Sequence, residues 1–122
     1  MTERVIVLAQ DLIWADRLAR AVEAAGAEPV RVASVGPLDA ALEGTHVAII
    51  DLTALAYDGV AAIATAKAAG ARVLAVGQHD DHELRKRALA AGADRVYAYR
   101  KLFEDGPATV AAWLGRPAEI GS

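Results

Sequence analysis

Val47-Ala48-Ile49-Ile50-Asp51-Leu52, followed six residues on by Asp58-Gly59, is the stretch that decides how this chain folds. Four consecutive apolar residues with β-branched members, closed by a polar one, read as a short buried strand. Asp51 then stands at the carboxyl end of that strand, which is where α/β sheets place their ligands and their chemistry. Asp58-Gly59 opens the helix that follows.

Outward from this strand the punctuation is regular. Ala-Ala-Gly-Ala occurs at Ala24 to Ala27, at Ala68 to Ala71 and at Ala90 to Ala93, each time after a helix-period segment and before a β-branched one. Gly26, Gly70 and Gly92 suit the left-handed position that ends a helix, which a Cβ would penalise. The strands read as Arg4 to Leu8, Pro29 to Ala33, His46 to Asp51, Arg72 to Val76 and Arg95 to Tyr99. Helices fall near Leu12 to Ala25, Pro37 to Glu43, Gly59 to Ala69, Asp81 to Ala91 and Pro107 to Leu114. In the first helix Trp14, Leu18, Ala21, Val22 and Ala25 share one face, so Trp14 reads as core. Asp80 and Glu83 have capping-box spacing before the fourth helix. Short strands alternating with helices pair in parallel through right-handed crossovers, giving a doubly wound α/β sheet of five strands with helices on both faces.

The 122 residues suit one domain, expected over 1–115, with a poorly ordered tail over 116–122. Hydrophobic residues make up 55% of the chain but only six are aromatic, so the packing is close and no large aromatic ligand box is expected. A net charge of −3 with scattered basic residues, clustered only at Arg85-Lys86-Arg87, argues against nucleic-acid binding. The absence of cysteine excludes disulfides and thiolate chemistry. No apolar run approaches the ~20 residues of a membrane span, so a cytoplasmic protein is expected. His46, His79 and His82 form no ligand triad, and the first strand lacks the glycines of a dinucleotide site.

With these segments in place, the chain resembles the receiver domains of bacterial two-component response regulators. The resemblance rests on Val47 to Leu52 with Asp58-Gly59, on Val73-Leu74-Ala75-Val76-Gly77-Gln78-His79-Asp80-Asp81, and on Ala91-Gly92-Ala93-Asp94, in the right order and at the right separations. It implies a flavodoxin-like (βα)5 fold with strand order 2-1-3-4-5, and Asp51 as the phosphoacceptor. It also shows what is missing. Where receivers carry an acidic pair that holds magnesium, this chain has Ala9 and Gln10, and Asp11 follows one residue late, where it suits the N-cap of the first helix. Gly77 replaces the switch hydroxyl. Tyr99 takes the position of the receiver lysine, and Lys101 lies two residues further, where it reads as solvated. Phe103 is expected to anchor the turn into the last helix.

Phosphoryl transfer depends on positioning and on neutralising charge, so an aspartate without these partners is a poor acceptor. The resemblance therefore implies a degenerate receiver, a pseudo-receiver that is not an enzyme, needs no cofactor and works through a protein partner or a homodimer. Its candidate interaction face comprises Leu84, Arg85, Arg87, Leu89, Tyr97, Val110 and Trp113. One alternative is a phosphorelay protein in which Asp51 is phosphorylated with Mg2+ held by Asp11 and Asp51, Gln10 and Lys101 completing the pocket. Another is a small-ligand binder in the cleft near Gln10, Asp51, Gly77 and Gln78. For Asp51 the plainest reading is that it ends its strand and accepts hydrogen bonds from amides in the next turn.

Overall fold

The computed structural model describes residues 3–115, so the expected tail lies outside the described residues. Five strands, β1 (Arg4–Leu8), β2 (Glu28–Val32), β3 (Val47–Asp51), β4 (Arg72–Gly77) and β5 (Arg95–Ala98), alternate with α1 (Leu12–Ala24), α2 (Val35–Leu42), α3 (Gly59–Ala68), α4 (His82–Ala91) and α5 (Tyr99–Trp113). They form one parallel sheet in the order β2-β1-β3-β4-β5. Fold class and strand order are those the sequence implied.

The period-2 alternation of each strand divides the core in two. Ile6, Leu8, Ala48, Ile50, Val73 and Ala75 face Leu38 of α2, Ile63 of α3 and Ala88 of α4. Val5, Val7, Ile49, Leu74 and Val76 face Leu18 and Val22 of α1 and Leu102, Val110 and Trp113 of α5. Central strands buried on both sides explain why β3 reads as an uninterrupted apolar run. Pro29 is tolerated because β2 is an edge strand. Gly26, Gly70 and Gly92 have φ of 87°, 86° and 117°, as their helix-ending role requires.

Most boundaries fall within one or two residues of the sequence reading. β2 and β3 shift by a residue at their ends, and α2 begins two residues before Pro37, which sits in its first turn where no N–H is needed. The fourth helix is capped by Asp81, whose carboxylate accepts from the Leu84 amide at 3.0 Å, so Asp80 is not the cap. The largest difference is α5. It starts at Tyr99, which was expected to end β5, and it is broken at Asp105 (φ −146°, ψ 35°) just before Gly106-Pro107. Proline lacks the amide and crowds the preceding turn, so the helix restarts there, and only its second half was legible as a helix.

Candidate functional site

Asp51 ends β3 at the carboxyl edge of the sheet and is 1% exposed. A buried carboxylate is costly unless its oxygens are hydrogen-bonded. Its Oδ1 accepts from the Thr53 amide at 3.1 Å and from the Thr53 hydroxyl at 3.3 Å, the local turn expected of a strand-ending aspartate. The third donor is distant in sequence. The Tyr99 hydroxyl donates to the same Oδ1 and also meets Thr53 Oγ1, which gathers carboxylate, phenol and alcohol into one cluster. Tyr99 reaches it because the first turn of α5 aims the ring back over the sheet, where Trp14 of α1 packs on it with centroids 4.6 Å apart. Trp14 is therefore partly buried core, as its position on the helix face implied.

Tyr57 lies beneath this cluster, 7% exposed, and ties β3 to β1. Its hydroxyl donates to the Asp51 carbonyl at 2.7 Å and lies 3.2 Å from the Leu8 carbonyl. Both phenols are pushed well above the ordinary tyrosine value. For Tyr57 the larger cause is burial and the next is the charge of Asp51; for Tyr99 burial again leads, followed by its hydrogen bond to Asp51.

The remaining residues that sequence placed here have other occupations. Gln10 Oε1 accepts from the amides of Leu55 at 2.8 Å and Ala56 at 3.0 Å, pinning the loop between β3 and α3. Asp11 accepts from the amides of Ile13 and Trp14 at 2.8 and 3.0 Å, so it is the N-cap of α1. Ala9 is buried and apolar. Lys101 turns away to pair with Asp105 at 3.7 Å, and no ammonium or guanidinium pairs with Asp51 among the described residues. Gly77 lies under Leu52, whose Cδ1 would sit 3.2 Å from any added Cβ. The cleft along Leu52, Gly77 and Gln78 has a volume of about 10 Å3, room for about one water and far below a metabolite site.

On the expected interaction face, Val110 and Trp113 are 0% and 8% exposed and belong to the core. Leu84 and Tyr97 are half-buried against the two clusters. Only Arg85, Arg87 and Leu89 on α4 are free at the surface. Phe103 does not anchor a turn; it is 60% exposed and stacks on Arg17. Thr53 and Tyr57 were missed in the sequence. The i, i+2 spacing of Asp51 and Thr53 was a usable local signal, whereas Tyr57 is a lone aromatic in a loop.

Solved structures with the same fold include receiver domains. The BeF3-activated receiver domain of DrrB superimposes with a TM-score of 0.81 over 95% of this chain and 100% of its own, at 19% identity. The fold is that of a response regulator receiver domain. A two-component response regulator from Clostridium difficile gives a TM-score of 0.81 at 14% identity, covering 94% of this chain and 98% of that one. A CheY-like receiver domain from Methanospirillum hungatei gives 0.73 at 20% identity over 94% and 98%. No family model and no curated protein matches the sequence. No helix among the described residues is long and apolar enough to cross a membrane.

Receivers hold magnesium at this end of the sheet, and the residues here do not fit that ion. Magnesium demands near-octahedral oxygen ligation with carboxylates and water. Ala9 offers no donor, the Gln10 oxygen already serves two amides, and Asp11 is committed to its helix cap. Among the described residues no group of three histidine or acidic side chains is placed to hold a metal.

Proposed function

We propose that this chain is a receiver-like signalling module that acts without phosphorylation, through protein–protein interaction. The observation that carries this reading is the Tyr99 hydroxyl on Asp51 Oδ1, with Lys101 paired elsewhere. Phosphoryl transfer to a carboxylate needs cations held against the three transferring oxygens. Here the side chains that meet Asp51 are a neutral phenol and an alcohol, both on Oδ1, and Gln10, in place of a metal-binding acid, fastens the loop beside it. The site is thereby set in one hydrogen-bonded arrangement, and output passes through surfaces the fold presents permanently. Incubation with acetyl phosphate and magnesium, followed by intact-mass measurement, tests the reading. The protein should gain no phosphoryl group under conditions that fully label an ordinary receiver. Labelling that disappears in Asp51→Asn would overturn it.

A further inference from the structure

Arg72 and Arg95 open β4 and β5, at the end of the sheet opposite Asp51. Leu74 and Tyr97 lie two residues further along and pack on the side of α1 and α5, so strand alternation sends both arginine side chains to that side as well. There they line a cavity of about 390 Å3 whose other walls include Tyr97 of β5 and Ala112 and Trp113 of α5. Small-molecule sites commonly measure about 300–1,000 Å3.

Donors in this cavity outnumber the acceptors that meet them. The Arg72 guanidinium donates to the Trp113 carbonyl and lies 5.1 Å from the centroid of the Trp113 ring, while Arg95 donates to the Asp94 carbonyl at 2.8 Å. Each guanidinium has five N–H groups, and neither pairs with a carboxylate among the described residues. Asp94, the one acid in the lining, is already committed: its Oδ1 meets Lys67 at 3.6 Å and its Oδ2 accepts from the Val73 amide at 2.7 Å. Independently, Nε1 of Trp113 is buried with no hydrogen-bond partner among the described residues. An unpaired buried N–H is costly unless an acceptor meets it. Two anchored cations and an unpaired donor around one concavity, in a chain of net charge −3, describe an anion site.

The amount of charge chooses among anions. A single carboxylate would leave one guanidinium unmatched, whereas a phosphate monoester carries about −1.5 to −2 at neutral pH and offers three oxygens to the two planar forks. A bare phosphate ion, a few times the size of a water molecule at about 30 Å3, would fill only part of the cavity. The remaining room lies beside the Tyr97 ring.

We infer that the cavity between the amino ends of β4 and β5 and the end of α5 binds a small organic phosphate, whose phosphate oxygens accept from Arg72 and Arg95 and whose organic group lies against Tyr97. The site is separate from Asp51 and does not depend on its state.

Phenyl phosphate titrated into the nitrogen-15-labelled full chain tests this, read on the indole N–H resonances of the two tryptophans, which Trp14→Phe assigns. The Trp113 resonance should shift and saturate while that of Trp14 stays in place, and acetate at the same ionic strength should not reproduce the shift. Arg72→Gln and Arg95→Gln should each weaken binding about tenfold or more, the loss of a charge-assisted hydrogen bond. Arg95 is exposed, so Arg95→Gln reads the charge apart from the stacking of Arg72 on Trp113, and unchanged amide spectra will show that the variant is folded. A Trp113 resonance that does not move or never saturates, acetate binding as tightly as phenyl phosphate, or affinity unchanged in Arg95→Gln would each overturn the inference. So would binding that is lost in Asp51→Asn and kept in both arginine variants, since it would put the phosphate at the other end of the sheet.

Discussion

Tyr99, at the position where the resemblance to receivers implies a lysine, instead brings a neutral hydroxyl to Asp51 and Thr53. Removing that hydroxyl in Tyr99→Phe leaves Asp51 with its local Thr53 donors only. The expected loss is about 1–2 kcal/mol of stability by urea denaturation. The reverse experiment concerns chemistry. A Tyr99→Lys/Gly77→Thr double variant carries two receiver-type side chains, but Ala9 and Gln10 still supply no metal ligand. Its intact mass after acetyl phosphate and magnesium should remain that of the unmodified chain.

At the scale of elements, the loop from β3 to α3 is fixed by long-range bonds. Gln10→Ala frees the amides of Leu55 and Ala56, and both should exchange their hydrogens faster while amides of the central strands keep their protection. Asp11→Ala removes the N-cap of α1 and is expected to cost about 1 kcal/mol. That result, with no change in behaviour toward a phosphodonor, identifies Asp11 as a cap and not a metal ligand. Gly59 packs against the backbone of Leu52, whose Cα would lie 2.9 Å from an added Cβ. Backbone on both sides has little room to give, so Gly59→Ala should lower stability by about 1–3 kcal/mol, read as a lower denaturation midpoint.

For the whole molecule, the two raised phenols make stability depend on pH at the alkaline end. Both ionise near their ordinary value of 10 in the unfolded chain and higher in the folded one. Their contribution is therefore complete below about pH 10 and is lost as pH rises toward the folded values. Urea midpoints measured from about pH 8 to pH 11 should fall across the upper part of that range. The fall should be shallower in Tyr99→Phe, which has one fewer raised group. Equal slopes in both proteins would show that the Tyr99 phenol is not the source.

The amino-acid sequence alone determined the β/α alternation, the helix-ending glycines and the position of Asp51 and Asp58 at the carboxyl side of β3. These depend on local periodicity and backbone preference, which a few neighbouring residues settle. The resemblance to receivers further implied that Ala9 and Gln10, Gly77 and Tyr99 stand where that family has an acidic pair, a hydroxyl and a lysine. Tertiary structure decided what occupies their places. Tyr99 joins Asp51 across 48 positions of sequence and Gln10 joins Leu55 across 45. Such partners meet only once the sheet brings the ends of β1, β3 and β5 together. The burial of Val110 and Trp113 likewise follows from how α1 and α5 pack on one face, and no helix carries that information by itself.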